Sequence, residues 1–464
     1  MKEQKLKVEN TNPLGRKSGD RKSSKPLRRA DLSHDGQDPF SLKMNEIMEA
    51  VVEAPNLRKA FAQVKRNKGS AGIDKMSVEE LSAHLVKNWE QIKKQLLAGE
   101  YKPSPVRRVE IPKPEGGERK LGIPTVLDRF IQQAVGQVLS QIYEPTFSAS
   151  SFGFRPNKSA QDAIHQSKKH VQAGRKYVVD IDLEKFFDKV QHDKLMNILK
   201  ERIKDPRVLR LIREFLKAGV MIGGVVHDST EGTPQGGPLS PLLSNIILDK
   251  LDKELEKRGH KFCRYADDCN VYVKTERSGE RLMKSIRSFI EGSLSLVVNP
   301  GKSAVARVGA RKFLGYALHT SKAQVKIAPH MKSVMKFKEA VKVLFRKGRG
   351  RNIPDFIKED LNPVLRGWHQ YFKVSDTKTI FVSLDQWIRR RIRMLYWRQW
   401  KKPKTRYAKM LAMGMKPDRA KESAFNGRGP WWNSKRLHTS ELLPTKKLVE
   451  KECNQSSVFL PSSK

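Results

Sequence analysis

Apolar residues along this chain follow two rhythms. A spacing of three and four predicts helices: Leu57, Ala60, Phe61 and Val64 line one face of residues 55–67, and Leu243, Ile247, Leu251 and Leu255 one face of residues 242–257. The same spacing runs over residues 125–145. It returns in Leu361, Val364, Leu365, Trp368, Tyr371 and Phe372, and again in Ile380, Leu384, Ile388, Ile392 and Leu395. Short apolar runs predict strands. KYVVDIDL, residues 176–183, is bounded by charge and predicts a buried strand with acids at its end. Residues 101–124 predict two extended segments around Glu115-Gly116-Gly117, and residues 261–273 a hairpin with Ala266-Asp267-Asp268 at its turn. Residues 1–40 have almost no periodic apolar positions and read as disordered; the last thirty or so residues are polar and read as irregular. No repeat of fixed period is present.

Charge narrows the class of partner. Lys and Arg number 92 against 50 Asp and Glu, a net charge of +42 over 464 residues. Such an excess destabilises a compact chain through self-repulsion unless a polyanion neutralises it. Nucleic acid fits, because each phosphate contact releases counterions. A membrane surface is the rival, but there is no long apolar run and no signal-peptide core, so no membrane partner is expected. Cys263, Cys269 and Cys453 form no Cys-x-x-Cys pair, which fits a reducing compartment without disulfides or a zinc module.

Three segments carry candidate chemistry. DIDLEKFFD (residues 180–188) and RYADDCNVYV (residues 264–273) each place carboxylates at a strand end or hairpin turn. There a side chain can reach into a cleft while the backbone behind it stays rigid. Brought side by side, Asp182, Asp267 and Asp268 would repel one another and raise at least one pKa. Two Mg²⁺ ions would relieve that repulsion, activate a 3′-hydroxyl and stabilise a leaving pyrophosphate. Taken singly, Asp-Asp at a turn is also ordinary turn chemistry. The third segment, EGTPQGGPLSP (residues 231–241), precedes the helix at 242–257. Its glycines permit close approach of backbone to a ligand, and its prolines equally suit a plain helix start.

In this order, these segments resemble reverse transcriptases, specifically the group II intron-encoded reverse transcriptase/maturases of the bacterial type lacking an HNH endonuclease. Asp182 with Phe187 and Asp188 resembles the first palm motif, TPQGGPLSP the PQG-x-x-x-SP motif, and Tyr265-Ala266-Asp267-Asp268 the YxDD box. Residues 111–135 and 151–164 resemble the finger blocks. SLVVNPGKSAV around Lys302 and KFLGY (residues 312–316) resemble the last palm blocks. LRGWHQYF (residues 365–372) resembles the maturase thumb, domain X. The resemblance spans about residues 45–432.

It implies an α+β right-hand polymerase. Fingers and palm, with an antiparallel palm sheet backed by helices, would occupy residues 41–320, and a helical thumb residues 321–410. A disordered basic arm (1–40) and a short basic DNA-binding-like tail without endonuclease (411–464) would flank them. The resemblance assigns Asp182, Asp267 and Asp268 to the metals (two Mg²⁺, with Mn²⁺ as substitute), helped by the Leu183 carbonyl. It assigns Lys113 and Arg119 to the incoming triphosphate and Gln235 to the nucleotide pocket. Phe187 would pack under the sugar and exclude a 2′-hydroxyl, although a core aromatic also fits that position.

Residues 386–410 hold ten Lys/Arg, no acid and five Trp/Tyr. With the apolar stripe inward, Arg389, Arg390, Arg391 and Arg393 are expected on the solvent side, gripping structured RNA. The expected partners are the group II intron RNA, target DNA, a primer–template duplex and dNTPs, in a bacterial cytoplasm. Oligomeric state stays open. Two other readings stand beside this one. A domesticated reverse transcriptase of phage defence or CRISPR acquisition is disfavoured by LRGWHQYF. A non-catalytic splicing factor is disfavoured by three intact acids.

Overall fold

A computed structural model describes residues 46–112, 118–222, 225–227, 232, 236–321 and 324–444. The arm expected at 1–40, Lys113, Gln235 and Cys453 lie outside these residues.

The described strands are β1 (Val106–Pro112), β2 (Glu118–Ile123), β3 (Tyr177–Ile181), β4 (Val220–Ile222), β5 (Val225–His227), β6 (Lys261–Tyr265), β7 (Asp268–Val273), β8 (Ala304–Arg307), β9 (Tyr316–Ser321) and β10 (Gln324–Pro329). One sheet has the order β6-β7-β3-β8, with every pairing antiparallel. Its centre is the run read as a buried strand. Val178, Val179 and Ile181 are all buried because both faces of the sheet are covered. Val178, Cys263 and Tyr272 share a core with Ala163 and Ile164 of the helix Ala160–Gln172. On the other face Gly279, in the helix Glu276–Ser293, lies so close that a methyl there would meet Val305, Val273 and Val179. Capping boxes begin both helices, Ser159 with Asp162 and Thr275 with Ser278.

In a second sheet, β2-β1-β4-β5, the strands β1 and β2 are the two extended segments anticipated around residues 101–124, and β4 and β5 join them from residues 220–227. Its β1–β2 pair runs from Arg107 opposite Ile123 to Pro112 opposite Glu118.

Beyond the palm the chain is helical: Met331–Lys347, Asn362–Phe372 and Lys378–Gln399 pack around Val341, Phe345, Phe356, Leu365, Leu384 and Leu395. The hairpin β9–β10 crosses the boundary expected at residue 320, and its Leu318, Val325 and Ile327 belong to this helical core. So do Ala420 and Ala424, from the segment read as a DNA-binding-like tail, and Leu442 and Leu443, from the stretch read as irregular. Small and aliphatic residues spaced among many charges hid that packing from sequence.

Palm and thumb meet at KFLGY. Phe313 and Tyr316 exchange backbone hydrogen bonds at 3.0 and 2.8 Å around a turn in which Leu314 (φ 50°) and Gly315 (φ 82°) are both left-handed. The Tyr371 hydroxyl donates to the Leu314 carbonyl at 2.9 Å, and Ser333 Oγ donates to the Gly315 carbonyl at 2.9 Å. The Tyr316 hydroxyl in turn donates to the Tyr371 carbonyl.

Candidate active site

Strand β3 ends with Ile181 opposite Cys269 of β7, so the next residue, Asp182, continues toward Asp268, the first residue of β7. The Asp182 peptide is fixed on both sides. Its N–H donates to Ser303 Oγ at 3.0 Å, and its carbonyl accepts from the Ser303 hydroxyl at 3.2 Å and the Asn299 N–H at 2.8 Å. Leu183, buried, bridges to Val298.

Across the sheet, Tyr265 pairs with Asp268 around the two-residue turn Ala266-Asp267. Ala266 has φ 56°, a conformation that strains any residue with a Cβ. The surroundings hold it there. Arg264, wholly buried, donates to Asp252 at 2.7 and 2.6 Å, to Asn245 Oδ1 at 3.0 Å, to Ser151 Oγ at 2.8 Å and to the Ala266 carbonyl at 2.9 Å. Gly153 backs the turn so closely that a Cβ would lie 2.3 Å from the Ala266 nitrogen, and its carbonyl accepts from Asn245 at 2.8 Å. The sequence reading missed Arg264, Asp252, Asn245, Gly153 and Ser303. The available signal was an arginine between Cys263 and Tyr265 in an apolar strand, where a charge must find a buried partner.

The acids raise one another. Burial pushes the Asp182 carboxyl up, Lys302 opposes with its Nζ 4.0 Å away, and Asp267 and Asp180 add to the rise. Asp268 is pushed up to about 7, first by the protein packed around it and then by Asp267, Asp180 and Asp182. Its outer face still meets solvent, which moderates that push. Asp180 is also raised by burial, against the pull of Arg311 at 2.6 Å. The cluster thus lacks sufficient positive charge of its own.

Among the described residues no three acidic, His or Cys side chains are gathered at metal-ligand spacing. The strand ends adjoin, and Lys302 is the cation that stands against Asp182. The donors are all oxygen, a set that fits a hard divalent cation.

Phe187, five residues after Asp182, is half-buried in the short helix Phe186–Lys189, edge-on to the buried Phe186 at 5.3 Å. Gly232 (φ 92°) lies against this short helix: a Cβ there would fall 3.0 Å from the Phe187 carbonyl, a tight fit in a backbone conformation that favours glycine. Gln235 and Lys113 are outside the described residues. Arg119 stands on β2 opposite Ile111, and only its backbone is described.

The thumb arginines differ from expectation. Arg389 pairs with Asp385, one turn back. Arg390 donates to the Trp431 carbonyl at 3.1 Å and lies over that indole, 3.7 Å from the ring centroid. Arg393 donates to the Leu443 carbonyl at 3.1 Å. All four, Arg391 included, are half-buried rather than on an open solvent face. For Arg390, Arg391 and Arg393 the reason is that Trp431, Ser434 and Leu443 return over the side of the helix Lys378–Gln399 that the stripe leaves over.

Carboxylates at a hairpin turn beside a third at the adjoining strand end, on a helix-backed antiparallel sheet leading into a helical thumb, define a palm-type nucleotidyltransferase. The chain belongs to the group II intron-encoded reverse transcriptase/maturases, and its enzyme class is RNA-directed DNA polymerase. The family model described as reverse transcriptase (RNA-dependent DNA polymerase) matches residues 111–318, and that of the group II intron maturase-specific domain matches residues 334–413. Protein YkfC of Escherichia coli (strain K12) is 33% identical over 319 residues, covering 60% of this chain and 84% of YkfC. The group II intron-encoded protein LtrA of Lactococcus lactis subsp. cremoris is 39% identical over 208 residues, covering 44% of this chain but 34% of LtrA. Among solved structures, a chain of a partial Cas6-RT-Cas1–Cas2 complex overlays with a TM-score of 0.35 and 25% identity, covering 53% of this chain and 43% of that one. The reverse transcriptase family carries a general dependence on divalent metal. Among the described residues no helix is long and apolar enough to cross a membrane.

Proposed function

We propose that this protein copies group II intron RNA into DNA from a primer 3′-hydroxyl on target DNA, and that its thumb binds the same RNA to assist splicing and mobility. The observation that carries the first part is the register that brings Asp182 beside the Asp267-Asp268 hairpin on pinned backbone. Asp182, Asp267, Asp268 and the Leu183 carbonyl would hold Mg²⁺, as two ions, with Mn²⁺ able to substitute. Bound there, Mg²⁺ supplies activation of the 3′-hydroxyl and neutralisation of charge on the departing pyrophosphate.

The chain's own residues do the rest. Lys113 and Arg119 grip the triphosphate, Gln235 lines the nucleotide pocket, and Phe187 sits under the deoxyribose. Arg264 holds the hairpin so that Asp267 and Asp268 keep a fixed aim. Lys302 balances part of the charge on Asp182. Residues 411–464 would serve as a short basic DNA-binding tail, and a bacterial cytoplasm is the setting.

Primer extension on an RNA template with Mg²⁺ tests this reading, comparing wild type with Asp267→Ala/Asp268→Ala while RNA binding is measured in parallel. Extension should vanish and binding persist. Extension that survives the double substitution would exclude these residues as the catalytic acids.

A further inference from the structure

A cavity of about 200 Å³ opens on the thumb between the helix Met331–Lys347, the turn Gly348–Gly350 and the helix Lys378–Gln399. Phe345 and Met394 give it apolar walls, and Phe345 is fixed edge-on against Phe356 at 5.3 Å. The other lining residues are all cations: Lys342, Arg346, Arg349, Arg391 and Arg398. Glu339 faces the cluster, but it is held by Lys342. Among the described residues, none of the four arginines has a carboxylate at ion-pair distance. Arg391 Nε is buried without a hydrogen-bond partner. Burial, with Arg346 and Arg390 nearby, weakens the hold of the Arg391 guanidinium on its proton, against the pull of Glu339.

The cavity is also preorganised. Gln399 donates to the carbonyls of Arg349 at 3.3 Å and Arg351 at 2.7 Å, tying the turn to the end of the long helix. Arg351 is neutralised by Glu359 and Asp360, so the same turn separates a paired arginine from an unpaired one. Concentrating cations in a concave site is unfavourable until an anion enters, and guanidinium forks match phosphate oxygens in pairs.

Beside the cavity the arginines and indoles alternate. The Arg391 guanidinium lies 4.5 Å from the Trp387 ring centroid and 5.4 Å from that of Trp431, and Arg390 covers Trp431 at 3.7 Å. Trp431 remains 39% exposed. An exposed indole next to a phosphate-sized basic cavity is the pairing that unpaired nucleotides use, a base on the ring and its phosphate on the cations.

We propose that this cavity binds a backbone phosphate of an unpaired polynucleotide strand, with an adjacent base stacked at Trp431. Of the four arginines singled out from sequence only Arg391 lines it; Lys342, Arg346, Arg349 and Arg398 come from the structure. The proposal takes from the functional reading only that the ligand is a nucleic acid.

Equilibrium binding of labelled oligo(U), oligo(dT) and a duplex of equal length to the full chain tests it, without dNTPs and over a salt series. Arg346→Gln/Arg349→Gln is compared with Lys87→Gln/Lys94→Gln, which removes the same charge from exposed positions on the helix Leu81–Ala98. The first pair should weaken single-strand binding about tenfold and lower the log–log salt slope by about 0.7 for each phosphate no longer neutralised. Trp431→Ala should weaken single strands several-fold and spare the duplex. Loss on oligo(U) alone assigns an RNA strand, loss on oligo(dT) alone a DNA strand, and equal loss a site that reads the shared backbone. A loss no greater than that of the control pair, or one equally large on the duplex, overturns the proposal. Neither result bears on polymerase activity, because no nucleotide is added in the assay.

Discussion

Arg264 donates from Nε and Nη2 to the two carboxylate oxygens of Asp252, at 2.7 and 2.6 Å, and neither side chain reaches solvent. The same guanidinium donates to the carbonyl of Ala266, the left-handed residue of the hairpin turn. A buried ion pair is therefore spent on holding a strained turn. Removing one member of such a pair leaves an uncompensated buried charge, at a cost of about 3–5 kcal/mol. Arg264→Met should lower unfolding stability by roughly that amount. Adding Asp252→Leu should restore much of the stability but not primer extension, since the Ala266 carbonyl and Ser151 still lack their donor. Denaturant unfolding and single-turnover extension on both variants separate the two effects; parallel recovery of stability and extension would show that Arg264 does not position the turn.

Gly153 gives a second handle on the same hairpin. A methyl group there would lie 2.3 Å from the Ala266 nitrogen, so Gly153→Ala must displace the turn or the segment behind it. We expect extension to fall by about tenfold or more, the scale on which small displacements act in a catalytic site, while RNA binding is kept. Unchanged extension kinetics would mean that the turn tolerates the shift.

Phe187 is half-buried while its neighbour Phe186 is core. Phe187→Val should therefore alter substrate choice more than stability. The preference for dNTP over the matching ribonucleotide, as a ratio of kcat/KM, should drop by about tenfold or more. Discrimination as strong as in the wild type would refute the gate.

Acid titration follows from the site's electrostatics. Asp268 has an ordinary value of 3.8 and is pushed up to about 7 in the fold. Between those values the folded chain holds a proton that the unfolded chain has released. Without divalent metal, stability is thus lost as pH rises through this window, and it levels off above about 7. Urea unfolding of metal-free wild type and Asp268→Asn at about pH 5 and about pH 7.5 checks the sign. Wild type should lose stability relative to the variant at the higher pH, and added Mg²⁺ should reverse the loss. A difference that does not change with pH would contradict the reading.

Much of this arrangement was legible in the sequence because strand periodicity and acid placement coincide. The apolar run ending at Asp182 became β3, and the hairpin with Asp267-Asp268 at its turn became β6–β7. The long stripes at 242–257 and 380–395 became the helices Ser240–Lys257 and Lys378–Gln399. The Arg264–Asp252 pair escaped notice because a charge in a sequence looks solvated until the fold buries it. Arg389, Arg390 and Arg393 failed in the opposite direction. Helical spacing shows which face is apolar, but not that Trp431, Ser434 and Leu443 return over the polar face to take the guanidinium groups of Arg390 and Arg393. The five-cation cavity was also hidden, since its lining comes from segments that lie apart in the chain.

Convergence of Asp182 with the Asp267-Asp268 hairpin on divalent metal is the claim on which the enzyme reading stands. A crystal of the protein with chain-terminated primer, RNA template and incoming dNTP, grown in Mn²⁺, tests it through anomalous scattering. Two peaks bounded by Asp182, Asp267 and Asp268 beside the triphosphate are expected. Peaks elsewhere, or an ordered nucleotide with no metal at these three residues, would contradict it.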